Sequence, residues 1–224
     1  MHPAYSVIFF TVSSGAGYGL LALLGMLNIG NYLPDESWFF FITLVLSLSL
    51  ITLGLLSSTL HLGHPERAWR ALTQWKTSWL SREGVAAVLT YIPSGVLALG
   101  WLSSEQTNDI YVGMGLLAAI GSGIMVYCTS MIYASLKAIP AWTFSLVPVL
   151  YLFLSITSGS LLLITLLSAF DSEVAGLSMF CILILLITMF LKIKYWNMVD
   201  RMPTNSNIET ATGLGNIGKP RVLE

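Results

Sequence analysis

Six long apolar stretches alternate with short polar breaks along the chain. They lie at about 7–29, 37–60, 84–102, 110–134, 142–169 and 174–193. A membrane-crossing helix needs about 20 predominantly apolar residues, and each stretch is close to that length. The breaks are sharp. NYLPDES carries Pro34, Asp35 and Glu36, SSEQTND is a polar turn, LKAIPAW carries Lys137 and Pro140, and FDSE carries Asp171 and Glu173. The segment from His61 to Glu83 is a longer polar loop, and residues 195–224 form a polar tail. This pattern predicts an all-α, polytopic transmembrane helix bundle of six spans.

Charge adds orientation. With six spans, the N-terminus, the 61–83 loop, the Lys137 loop and the tail share one side. That side holds Arg67, Arg70, Lys76, Arg82, Lys137, Lys192, Lys194, Arg201, Lys219 and Arg221, all ten basic residues of the chain. The three turns opposite carry Asp35, Glu36, Glu105, Asp109, Asp171 and Glu173. By the positive-inside rule both termini belong in the cytoplasm. Losing one span would scatter the basic residues over both sides, so the asymmetry also supports the count. Composition agrees, since 9% of the 224 residues are charged against about 25% in a soluble domain. The opening MHPAYSVIFF has no basic leader, so it reads as a retained first helix. Trp38, Trp101 and Trp142 fall near span ends, where aromatic belts form. Gly15, Gly17, Gly19, Gly113, Gly115, Gly121 and Gly123 read as small residues that let helices approach closely.

Candidate chemistry is sparse. No ionisable side chain falls near the middle of a predicted span, which weighs against an ion-coupled transporter. The three histidines, His2, His61 and His64, cannot sandwich a haem between helices. No set of ligands converges on a metal. Cys128 and Cys181 read as small buried hydrophobes. No redox centre is therefore expected in this chain, and nothing suggests a nucleic-acid partner.

The 61–83 loop stands out. His61 lies where the second span ends, and Glu83 lies where the third begins, so both reach one membrane face. Pro65 and Glu66 suit the first turn of a helix, and 66–75 could lie in the interface with Arg67 and Arg70 toward headgroups or a partner. A histidine and a carboxylate there suit proton exchange with a quinone, because imidazole titrates near physiological pH. The plainer account has His61 satisfying a helix end and Glu83 paired with Arg82 or Arg67. The residues alone leave both accounts open.

The runs LHLGHPERAWRA, LSREG and ATGLGNIGKPR resemble the membrane anchor subunit of the dimethyl sulfoxide reductase type, most specifically from Ser58 to Gly84. The resemblance implies a haem-free helical subunit in a bacterial cytoplasmic (inner) membrane. Such a subunit exchanges electrons between ubiquinone or menaquinone and a ferredoxin-like iron–sulfur subunit docked on its loops. That partner serves a molybdopterin catalytic subunit. The family's quinone-site histidine falls on His61 and its essential glutamate on Glu83. Arg67 matches a basic position after the proline, and His64 is the weakest candidate. The family pattern has eight membrane helices where this chain supplies six, ending in a polar stretch that in relatives leads on to two more.

The cytoplasmic placement of the loop looks more like the anchor of quinone-linked sulfite dehydrogenase, which favours quinone reduction during sulfite oxidation. The alternatives are quinol oxidation for a sulfoxide reductase, a small-solute transporter, and a passive tether with quinone bound elsewhere.

Overall fold

A computed structural model describes residues 5–59, 65–103 and 108–202, without the side chains of residues 65–68 and 71. Its elements are helical, with six helices long and apolar enough to cross a membrane: α1 (Tyr5–Ile29), α2 (Ser37–Thr59), α3 (Trp79–Leu102), α4 (Asp109–Ala134), α5 (Leu146–Ala169) and α6 (Ala175–Asp200). Two 3-10 helices, Pro65–Gln74 and Pro140–Thr143, lie before α3 and α5. Consecutive spans joined by short connections alternate in direction. Arg70, Lys76, Arg82, Lys137 and Lys192 therefore gather at the end of the bundle where α1 begins.

Helix α1 is the hub, packed between α2, α4 and α5. Its glycines explain how. A Cβ on Gly17 would stand 2.8 Å from the Ser47 carbonyl oxygen, one on Gly19 would run into the Ser155 backbone, and one on Gly25 into Gly115. Serines of the neighbours close these contacts: Ser47 Oγ donates to the Gly17 carbonyl at 2.9 Å and Ser155 Oγ to the Gly15 carbonyl at 2.6 Å. From α1 itself, Ser13 Oγ donates to the Leu50 carbonyl at 2.8 Å. Apolar burial cannot drive helix association in lipid, so close backbone approach and such hydrogen bonds carry it. Gly121 plays this part in the α3–α4 seam, against Thr90, whereas Gly15, Gly113 and Gly123 face open space.

Three features differ from expectation. First, α3 begins at Trp79, ahead of the expected 84, so Arg82 and Glu83 lie inside the helix. Ser78 caps it by accepting from the Ser81 N–H at 3.4 Å, a favourable N-cap residue. Arg82 tolerates the position because its long side chain reaches back toward the interface. It donates to the carbonyls of Trp75 (2.9 Å) and Lys76 (2.8 Å) and lies 4.3 Å over the Trp79 ring. Second, the expected interfacial helix is a 3-10 helix. Third, Trp101 is not a belt residue: it is 4% exposed and stacked on Phe40 at 4.1 Å, while Trp38 is exposed as expected. Cys128 and Cys181 are buried free thiols.

Candidate functional site

Glu83 sits one turn into α3 and is 4% exposed. Its neighbours on the same helix face, Ala87, Thr90, Ser94 and Leu97, are buried as well, which fixes that face toward the bundle interior. The spacing 83, 87, 90, 94, 97 is that of one stripe on a 3.6-residue helix. The carboxyl oxygen Oε1 accepts a 2.6 Å hydrogen bond from Thr129 Oγ1 on α4, whose single proton is shared with the Met125 carbonyl at 3.1 Å. An ionisable group within a membrane span is costly to bury and marks function more often than packing.

Three tyrosines on other helices interact electrostatically with this carboxyl. Tyr18 on α1, Tyr133 on α4 and Tyr151 on α5 lie within electrostatic range of Glu83. Tyr133 is one turn beyond Thr129 on the same face of α4. Its ring stacks on Tyr151 at 5.8 Å and meets Trp142 edge-on at 5.2 Å. Thr129 and Tyr133 thus form a short polar line from Glu83 toward the helix ends. A cavity of about 260 Å³ opens there, with Thr11, Tyr133, Trp142, Tyr151, Lys192 and Tyr195 among its lining. Tyr18 is 1% exposed, and its hydroxyl has no hydrogen-bond partner among the described residues. Buried hydroxyls are rarely left so, because desolvation without a partner costs about 1–3 kcal/mol. A water or a substrate oxygen would satisfy it.

Of the residues singled out from sequence, Glu83 is therefore in a buried polar site. His61 and His64 lie outside the described residues, as does the side chain of Arg67. The pairing of Glu83 with Arg82 is replaced by other bonds: Arg82 holds the end of the preceding 3-10 helix, and Glu83 is held by Thr129. Sequence reasoning missed Thr129, Tyr18, Tyr133 and Tyr151. Each is far from Glu83 in the chain, and only helix rotation brings them together. Among the described residues, no three His, Cys, Asp or Glu side chains gather as metal ligands.

The chain has relatives. The family model described as DMSO reductase anchor subunit (DmsC) matches residues 1–211. The chain belongs to this anchor family. It is also 34% identical to a sulfite dehydrogenase subunit of Allochromatium vinosum over 235 aligned residues, which cover 96% of this chain and 70% of that protein. No solved structure matches the chain. Membership in an anchor family, together with six membrane-length helices, makes this a multi-pass membrane protein.

Proposed function

We propose that this anchor subunit passes electrons between the quinone pool and a partner iron–sulfur subunit of a molybdopterin oxidoreductase, in the direction of quinone reduction. The observation that carries the reading is the buried Glu83 carboxyl, held by Thr129 of α4, one turn along that helix from Tyr133, which lines an aromatic-walled cavity. Likeness to a sulfite dehydrogenase subunit favours sulfite as the electron source, and the positive-inside rule favours the cytoplasm as the side of the basic loops.

Reducing a quinone consumes two electrons and two protons. The electrons come from the partner's iron–sulfur centre, so this chain must bind the ring, exclude competing water and deliver protons. Glu83 suits proton delivery at one quinone oxygen, with Thr129 fixing the orientation of its carboxyl. The Tyr18 hydroxyl, without a partner among the described residues, suits donation to a bound oxygen, and the Tyr133, Tyr151 and Trp142 rings offer flat walls to an aromatic head group. His61 is assigned the second proton, since imidazole exchanges protons near neutral pH. Arg67 and His64 are assigned supporting contacts to the quinone, where positive charge would favour the reduced, proton-accepting oxygen.

The test is His61→Ala in the assembled complex. Quinone reduction should fall by about two orders of magnitude, the scale of a lost general acid. Electron transfer from the soluble substrate to a water-soluble acceptor should persist. Normal quinone reduction by this variant would contradict the assignment.

A further inference from the structure

A second, larger cavity lies on the lipid-facing side of the α3–α4 seam and is separate from the Glu83 site. It is an apolar groove of about 690 Å³, walled by Val85, Leu89 and Pro93 of α3 and by Leu117, Gly121 and Ile124 of α4. Along α3, Arg82, Val85, Ala86, Leu89 and Pro93 form a stripe turned away from the buried Glu83 stripe. The groove is nearly uniform in chemistry except at one end, where Trp75 and Arg82 line its mouth. Lys76 stands beside them, with its ammonium 5.8 Å from the Trp75 ring centre and its carbonyl bonded to Arg82. Exposed Trp75 and two cations at a helix end have the composition of a membrane interface.

The length identifies what fits. From Arg82 to Pro93 the helix rises about 16 Å at 1.5 Å per residue. One leaflet of hydrocarbon is about 15 Å deep, half of the ~30 Å bilayer core. A chain entering at the Arg82 mouth would run the depth of one leaflet and stop. We propose that this groove is a binding site for an anionic phospholipid of the leaflet on the basic side of the protein. One acyl chain would lie between α3 and α4, and the phosphate headgroup would rest against Lys76 and Arg82.

Charge complementarity at the mouth selects an anionic headgroup over a zwitterionic one. Beyond Arg82, the groove's walls present little polar surface to hold a quinone ring, and a polyisoprenoid tail is longer than one leaflet. Gly121 is what makes the groove floor narrow. A Cβ there would stand 2.6 Å from Thr90 Oγ1, so the two helices close behind the chain instead of opening toward Glu83.

The experiment is native mass spectrometry of the full chain in detergent micelles doped with phosphatidylglycerol, phosphatidylcholine or a long-chain ubiquinone. Phosphatidylglycerol should be retained preferentially. Lys76→Gln should weaken its retention roughly fivefold, the effect of about 1 kcal/mol per basic residue. Leu117→Trp, which fills the groove from an exposed position, should abolish retention while leaving the fold intact by circular dichroism. Because Arg82 also holds the 3-10 helix, Lys76→Gln is the charge variant of choice. Equal retention of phosphatidylcholine, retention indifferent to Leu117→Trp, or displacement of phosphatidylglycerol by equimolar ubiquinone would each overturn the proposal.

Discussion

Helix α3 has two faces that differ in nearly every respect. One carries Glu83, Thr90 and Ser94, all buried, and meets α4 through a hydroxyl. The other carries Val85, Val88 and Leu89 and looks toward lipid. Adjacent residues, Arg82 and Glu83, take opposite roles because helix rotation sends successive side chains about 100° apart. Arg82 turns back to backbone carbonyls at the membrane edge, while Glu83 turns into the bundle. A charged pair in sequence thus becomes an anchor on one side and a candidate proton donor on the other. The seam between them is held closed by Gly121 against Thr90.

Four substitutions sharpen this contrast. The largest expected effect is that of Glu83→Gln on quinone turnover by the assembled complex. Glutamine keeps the size and can still accept from Thr129, but it cannot deliver a proton. Turnover should fall about a hundredfold with thermal stability unchanged. Next comes Gly121→Val, which drives a branched side chain into Thr90. It should cost about 2–3 kcal/mol, the scale of overpacking a tight core, read as a lower unfolding midpoint in detergent. Thr129→Val removes the hydroxyl at Glu83 and nearly preserves volume. It should cost about 1 kcal/mol and slow quinone turnover by less than Glu83→Gln does. The smallest effect belongs to Val88→Ala on the lipid face, within about 0.5 kcal/mol of wild type and with normal turnover. A Val88→Ala effect as large as that of Thr129→Val would erase the distinction between the faces.

The six helices were legible in the sequence because bilayer thickness sets their length and because basic residues are confined to alternate connections and the helix ends beside them. The start of α3 was not, since Arg82 marks a boundary by composition yet lies within the helix, reaching back to Trp75 and Lys76. Trp101 misled for a related reason: position near a span end does not reveal rotation, and rotation sets Trp101 against Phe40. Glycine clusters signalled close packing without telling which glycines pack. A Cβ on Gly17 or Gly19 would collide with a neighbouring helix, whereas one on Gly15 would point into open space. For the site, Glu83 was found through a local motif. Thr129, 46 residues away, and the three tyrosines carry no local signal, because their relation to Glu83 exists only once the bundle assembles.

The α6 helix offers another contrast with the hub. Only Cys181 and Thr188 of its residues are buried, and its contacts include a Thr157–Thr188 hydroxyl pair at 3.2 Å and Tyr195 donating to the Ala141 carbonyl at 3.1 Å. Helix α1, wedged among three others, has little tolerance for added volume.

The most direct measurement is the affinity of a quinone-analogue inhibitor for the assembled complex, compared between wild type and Glu83→Ala, which removes the hydrogen-bonding group altogether. If the carboxyl faces the quinone ring, binding should weaken about tenfold or more, the loss of roughly 1.4 kcal/mol expected for a hydrogen bond to a charged or polar partner. Identical affinity, with the complex intact and the inhibitor still blocking turnover, would place the quinone elsewhere and contradict the assignment.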